Sequence, residues 1–191
     1  MEKFDTITLD AQAVKAAHMI AAKKDARYYL QGIHLNKEKN RIESADGCAI
    51  LTIDNAGDIT NLPKNLTIQI IAPAQIKKTT KLLNFNGVEI WSGTGTEKVN
   101  YPFIIHDAIY PNLESVLIGK IPDKNTESKT EIILDTKLLE KMGKAFATYT
   151  QAKYEHIKYT LNTEALCVYL STTYDKNIQG VVMAVRDPKK K

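Results

Sequence analysis

Hydrophobic and polar positions change period at regular intervals along the chain. A short alternating run at 4–10 (FDTITLD) gives way at once to AQAVKAAHMIAAKK, whose apolar positions recur at helical spacing. The same switch recurs where NLTIQIIA (65–72) leads into PAQIKKTTKLL, and where TEIILD (130–135) leads into TKLLEKMGKAFATYTQ. Thr6, Ile68 and Ile132 occupy comparable places, a spacing of about 60 residues that implies a repeated supersecondary unit. Asp10 and Asp135 are placed to cap their helices by accepting backbone N–H groups, and Pro73 suits a first helical position. Each helix is followed by short strand candidates: 27–35, 41–45 and 48–54; then 88–92, 96–101 and 104–109; then 156–161, 165–171 and 178–186. Gly, Asn and Asp separate many of them, as hairpin turns require. The predicted architecture is α+β, three βαβββ units in series. Units at about 1–56 and 65–117 form one domain, 118–129 is a linker, 130–187 is a half domain and 188–191 a basic tail, with 57–64 a shorter connection.

The helices predict a common polarity. In the third, Leu138, Met142, Ala145, Phe146 and Tyr149 fall on one stripe and Lys137, Lys141 and Lys144 on another. In the second, Ile76, Leu82 and Leu83 are apolar while Lys77, Lys78 and Lys81 cluster. The first carries Lys15 and runs out at Lys23 and Lys24. One lysine face is ordinarily a solvated face. Repeated on three helices of one unit, it predicts a surface that attracts phosphates without reading bases.

Composition narrows the classes. The chain has 191 residues, 43% of them hydrophobic, enough for a substantial core and against disorder. No apolar run approaches the ~20 residues of a membrane span, and MEKFDTITLD lacks an apolar signal core, so a cytoplasmic protein is expected. The formal net charge of +4 adds only a weak pull towards polyanions. Cys48 and Cys167 lie far apart without metal-like spacing and read as reduced, structural thiols. His18, His34, His106 and His156 likewise lack ligand spacing, so no metal, cofactor or enzyme activity is expected. SGTG at 92–95 reads as a glycine-bearing turn, because the Gly-Lys of a phosphate loop does not follow it.

Four short motifs resemble those of the bacterial sliding clamp family, the β subunit of DNA polymerase III. Asp25, Arg27, Tyr28, Leu30 and Gly32 stand as in its D-x-R-Y-x-L-x-G strand. Ala45-Asp46-Gly47 is similar to its T-D-G-H-R-L turn. Tyr110-Pro111-Asn112-Leu113 followed by Val116 is similar to its aromatic-Pro segment, and 181–186 (VVMAVR) to its terminal V-V-M-P-M-R. The resemblance implies domains of two βαβββ units, six domains closing a ring around duplex DNA, helices lining the hole and sheets forming the wall. On that basis Lys15, Lys23, Lys24, Arg27, Tyr28, Lys77, Lys78, Lys81, Lys137, Lys141 and Lys144 would contact DNA; of Tyr28 and Tyr29, only one side chain could point inward from a strand.

The resemblance also implies a hydrophobic pocket for peptides of polymerases and other replication proteins. Here Leu30, Ala45, Gly47, Cys48, Ile50, Leu117, Ile118, Val181, Val182, Met183 and Val185 would build it, unless they only pack an interface between units. The sequence departs from the family pattern at Cys48-Ala49 (His-Arg), Ile118 (Pro) and Ala184-Val185 (Pro-Met). It holds three units where the family has six. An odd unit would leave a sheet edge unpaired and favour a homo-oligomer, a dimer or a tetramer. The expected function is a sliding-clamp-like processivity factor; the alternative is a clamp-fold interaction module that does not encircle DNA.

Overall fold

A computed structural model describes residues 3–117, 133–152, 156–162 and 166–184. The predicted linker at 118–129, the basic tail, Ile118 and Val185 lie outside the described residues. The first unit forms in full: β1 (Ile7–Asp10), α1 (Ala11–Ile20), β2 (Ile33–Asn36), β3 (Arg41–Ala45) and β4 (Ala49–Asp54). The second contributes β5 (Leu66–Ile70), β6 (Leu82–Phe85), β7 (Ile90–Ser92), β8 (Val99–Asn100) and β9 (Phe103–His106). A short helical turn, α2 (Glu114–Leu117), follows. The third unit supplies α3 (Thr136–Thr150), β10 (Ile157–Asn162), β11 (Cys167–Thr172) and β12 (Ile178–Met183).

Both predicted aspartate caps form. Asp10 accepts the backbone N–H groups of Gln12 and Ala13 at 2.8 and 2.7 Å, and Asp135 accepts that of Lys137 at 2.8 Å. The second helix does not form. Pro73–Gln75 makes one 3₁₀ turn and the chain then runs irregularly to β6. The physical reason lies in the sequence: Ile76 is buried, but Thr79 and Thr80 stand where the next apolar residues of a stripe would be, and both are β-branched. Lys77, Lys78 and Lys81 are therefore loop residues. The strand expected at 27–35 also splits, into a 3₁₀ turn at Tyr28–Gln31 and β2. Gly32 stands between them because a Cβ there would lie 2.7 Å from the Ile68 carbonyl oxygen. The strand expected at 96–101 is a 3₁₀ turn, Gly95–Glu97, followed by β8. Ahead of α3, residues 133–135 are not a strand; 130–132 lie outside the described residues.

Strand exchange binds the units together. β1 of the first unit pairs with β6 of the second, in a sheet ordered β1-β6-β7-β8. β5 of the second pairs with β2 of the first, and β12 of the third pairs with β4, giving an eight-stranded sheet ordered β10-β11-β12-β4-β3-β2-β5-β9. The third unit is thus not unpaired, contrary to the expectation from counting units. Among the described residues its outer edge is β10, and β9 ends the sheet on the other side.

One face of the large sheet is covered by α1 and α3, which pack on each other above Ile33, Leu35, Ile42, Leu51, Ile68 and Val182. Met142, Ala145 and Phe146 bring α3 onto this core; full burial of Phe146 contributes on the order of 2–3 kcal/mol. His18 is the interior's polar tie. Its Nε2 accepts the Ile70 N–H at 2.9 Å, so the proton sits on Nδ1, which donates to the Val14 carbonyl at 2.9 Å.

Burial holds the His18 and His34 imidazoles down at about 4. In the unfolded chain they titrate near their ordinary value of 6.5. Between those values the unfolded state binds more protons, so stability is complete above about pH 6.5 and falls as pH drops towards 4. We expect about 2 kcal/mol less stability per imidazole at about pH 5 than at about pH 7, read by denaturant titration. His18→Gln, whose amide oxygen can still accept from Ile70, should remove about half of that loss. Full retention of the pH dependence would count against a buried neutral His18.

Candidate nucleic-acid interface and outer-face pocket

The two helices and the loop between β5 and β6 form one face, and the predicted basic residues divide on it into tied and untied cations. Lys15, part-buried on α1, donates to the Ile76 carbonyl at 2.5 Å. Lys141 reaches across from α3 to the Ile20 carbonyl at 3.1 Å and the Asp46 carboxylate at 2.7 Å. That places a cation on the C-terminal carbonyls of α1, where the helix dipole favours one. Lys144 pairs with Glu140 at 2.5 Å on an exposed turn of α3. Lys23 and Lys24 are exposed in the segment leaving α1, Lys137 in the first turn of α3, and Lys77, Lys78 and Lys81 on the loop. A depression of about 400 Å³ brings Lys15, Lys78 and Lys144 together beside Gln12, Met19 and Thr148.

Arg27 and Tyr28 leave that face. Arg27 makes a two-pronged contact to Asp25 at 3.0 and 2.8 Å, and its guanidinium holds the Asp25 carboxyl down at about 2. Tyr28, 49% exposed, lies against the His106 ring at 5.6 Å between centroids, on the opposite side of the sheet from α1. Tyr29 packs edge-on to Tyr110. The stretch therefore carries the chain from the helix face around to the outer face.

On the outer face the structure gathers most of the predicted pocket. Leu30, Ala45, Ile50 and Val181 form a second buried cluster with Tyr110, Leu113 and Cys167, and Leu117 and Met183 pack against it. Gly47 and Cys48 are exposed at the β3–β4 turn beside it; the Cys48 carbonyl accepts the Met183 N–H at 2.8 Å. Val182 is the exception. Strand alternation turns it to the other face, into the core under the helices.

The cluster is roofed by the chain's own segment 110–117. Tyr110 stacks on His34 at 4.7 Å, Glu114 pairs with Arg41 at 2.9 Å and with Lys39, and Tyr169 Oη donates to the Val116 carbonyl at 2.8 Å. The strap thus crosses from β2 to β11. Beside it, a depression of about 750 Å³ is lined by His34, Lys64, Thr67, His106, Ile109 and Tyr110. His34, Thr67 and His106 stand in one cross-strand row, a juxtaposition that only the register of β2, β5 and β9 reveals. Burial pushes the Tyr110 hydroxyl and the Glu43 carboxyl up from their ordinary values. Among the described residues no three His, Cys, Asp or Glu side chains gather where a metal could sit, and no helix is long and apolar enough to cross a membrane.

Solved structures share this fold. The sliding clamp (DNA polymerase III subunit β) of Bartonella birtlesii matches 98% of this chain and 68% of its own, with a TM-score of 0.67 at 13% identity. The chain has the DNA-clamp fold. The sliding clamps of Bacillus subtilis and Pseudomonas aeruginosa match with TM-scores of 0.58 and 0.59 at 12% and 11% identity, each over 98% of this chain and over 66% and 68% of theirs. The chain spans about two thirds of the length of these clamps. No protein-family model and no curated protein matches it by sequence.

Leu113 tests how firmly the strap of this clamp-fold chain is seated. It is buried at the middle of the segment. Leu113→Ala should destabilise by about 2–4 kcal/mol in denaturant titration, the cost of a buried cavity. A loss below about 1 kcal/mol would mean the strap lies loosely on the sheet.

Proposed function

We propose that the chain is a sliding-clamp-like processivity factor that binds or encircles duplex DNA without reading its sequence and tethers a polymerase or another replication protein. The observation that carries this reading is the match of nearly the whole chain to bacterial sliding clamps, across 98% of its length. Lys23, Lys24, Lys77, Lys78, Lys81 and Lys137, exposed and without acidic partners among the described residues, supply a diffuse positive field suited to a sliding contact. The chemistry asks for no catalytic group. In this reading 1–117 acts as one clamp domain and 130–187 as a half domain, and the protein works in the cytoplasm beside the replication machinery. The outer-face cluster serves as the seat for a hydrophobic peptide, entered where the strap ends at Leu117, Met183 and Cys48.

The free edge suggests how copies join. On β10, Tyr159 and Leu161 are 51% and 52% exposed, and among the described residues no strand pairs with its outer side. Two β10 edges meeting across a twofold axis would give a dimer, and two dimers a closed ring. One observation favours the alternative, a clamp-fold interaction module that does not encircle DNA: Lys15, Lys141 and Lys144 are tied to intramolecular partners.

Light scattering over a concentration series at physiological salt should give the mass of a dimer or tetramer, and Tyr159→Lys with Leu161→Lys should break the β10 contact and lower that mass. The oligomer should be retained on circular duplex and lost from linear duplex. A monomer at every concentration removes encirclement by this chain alone and favours the interaction module.

A further inference from the structure

The loop between the 3₁₀ turn at Pro73–Gln75 and β6 takes the place of the missing second helix, yet it is fixed in detail. Gln12, 4% exposed in the first turn of α1, aims its amide nitrogen at three of the loop's carbonyl oxygens: Lys77 at 2.9 Å, Thr80 at 2.8 Å and Lys78 at 3.3 Å. Two N–H groups cannot serve three acceptors equally, so the longer contact shares a donor. Lys15 holds the Ile76 carbonyl, the Ala11 N–H donates to the Lys81 carbonyl at 2.9 Å, and Gln151 at the end of α3 donates to the Lys78 carbonyl at 3.2 Å. Ile76 itself is sunk in the core. With its carbonyl oxygens drawn towards α1 and α3, the loop exposes Lys77, Lys78 and Lys81. None of the three has an acidic partner among the described residues, unlike Lys141 and Lys144. A buried glutamine amide in an otherwise alanine-rich helix is costly unless it is bonded, and here its bonds go to this loop.

We infer that the loop 76–81 is the element through which this protein contacts the phosphate backbone of duplex DNA, and that Gln12 is its positioning residue. This rests on the clamp-like reading above and deepens it. A helix face would hold its lysines by its own backbone ladder. A loop without such a ladder must be held from outside, or its charges lose entropy on meeting phosphates. Gln12 supplies that hold from the helix beneath.

The test uses the whole chain and a blunt duplex of about 30 base pairs, with affinity read by anisotropy between about 50 and 200 mM salt. Changing Lys77, Lys78 and Lys81 together to Ala should weaken binding by about tenfold or more and flatten the log–log salt slope by two to three, one phosphate contact each, in rough terms. Gln12→Leu, neutral and close in size, should weaken binding by about threefold to tenfold in the parent and leave it unchanged in the triple-alanine background. Trypsin should also cut after Lys77 and Lys78 about tenfold faster in the Gln12→Leu protein. Gln12→Asn, whose shorter amide cannot span the same gap, should do the same and stands in if the leucine variant fails to fold. If the triple variant binds like the parent, the loop is not the contact and this inference falls while the clamp reading stands. If neither Gln12 variant speeds cleavage, Gln12 does not position the loop. A parent protein that does not bind this blunt duplex even at low salt overturns the inference, whereas the clamp reading stands or falls by retention on circular duplex.

Discussion

The near-complete burial of α1 is the constraint on which the other elements depend. Ala11, Ala13, Ala16 and Ala17 are fully enclosed, and their small side chains let the sheet approach one side of the helix and α3 the other. A helix so enclosed cannot hydrate its polar groups, so each must find a partner on a neighbouring element. Gln12 and Lys15 take the loop before β6. His18 takes the Ile70 N–H, Ser44 Oγ on β3 donates to the Ala17 carbonyl at 2.7 Å, and Lys141 on α3 caps the Ile20 carbonyl. The helix is therefore fixed in position and rotation by bonds to the sheet, the loop and the second helix. Apolar packing alone would fix neither so closely.

The same enclosure explains why the units cannot be folded one at a time. α1 rests on strands of its own unit, but its outer side is closed by α3, which follows it by more than a hundred residues. The sheet repeats the pattern: β1 needs β6, β5 needs β2, and β4 is covered only once β12 has arrived. The pairings that join one unit to another are thus distant in sequence, which predicts slow, cooperative folding for a chain of this size. It also leaves few edges open. Among the described residues the strands that end a sheet are β10 and β9 of the large sheet and β1 and β8 of the small one.

The aspartate caps, the α3 stripe and most strands of the first and third units were legible in the sequence, because each follows from a local period or a single side chain. Other features were not. The second helix had its Pro and its lysines in place, and only the two threonines at the stripe positions argued against it. Lys15 read as part of a common lysine face; in the fold it is a part-buried donor, as the buried Gln12 beside it is. That difference cannot be seen from α1, since it is the backbone of residues 76–80, distant in sequence, that receives them. Val182 sits between two pocket candidates and faces the opposite way, a consequence of strand alternation that naming residues by motif passes over. The His34, Thr67 and His106 row needed the pairing of three strands before it existed at all.

Electrostatics and topology together shift where this chain can meet a polyanion. On a helix-lined face the positive charge would be spread along regular surfaces. Here three of the helix lysines hold the interior or a neighbouring carboxylate together, and the free charge sits on two irregular segments, 23–24 and 77–81, and at the start of α3. Each is anchored by a helix end or by side chains from below, so their positions are set by the α1–α3 packing. On the opposite face the apolar seat is roofed by the strap 110–117, whose Tyr110 and Glu114 are held by His34 and Arg41. The sheet between the two faces is continuous, so the lysine loop at one side and the strap at the other are braced by the same strands, β2 to β5. A clamp-fold body of this design keeps its exposed lysines and its apolar cluster on opposite sides of one sheet, so neither occupies the surface of the other.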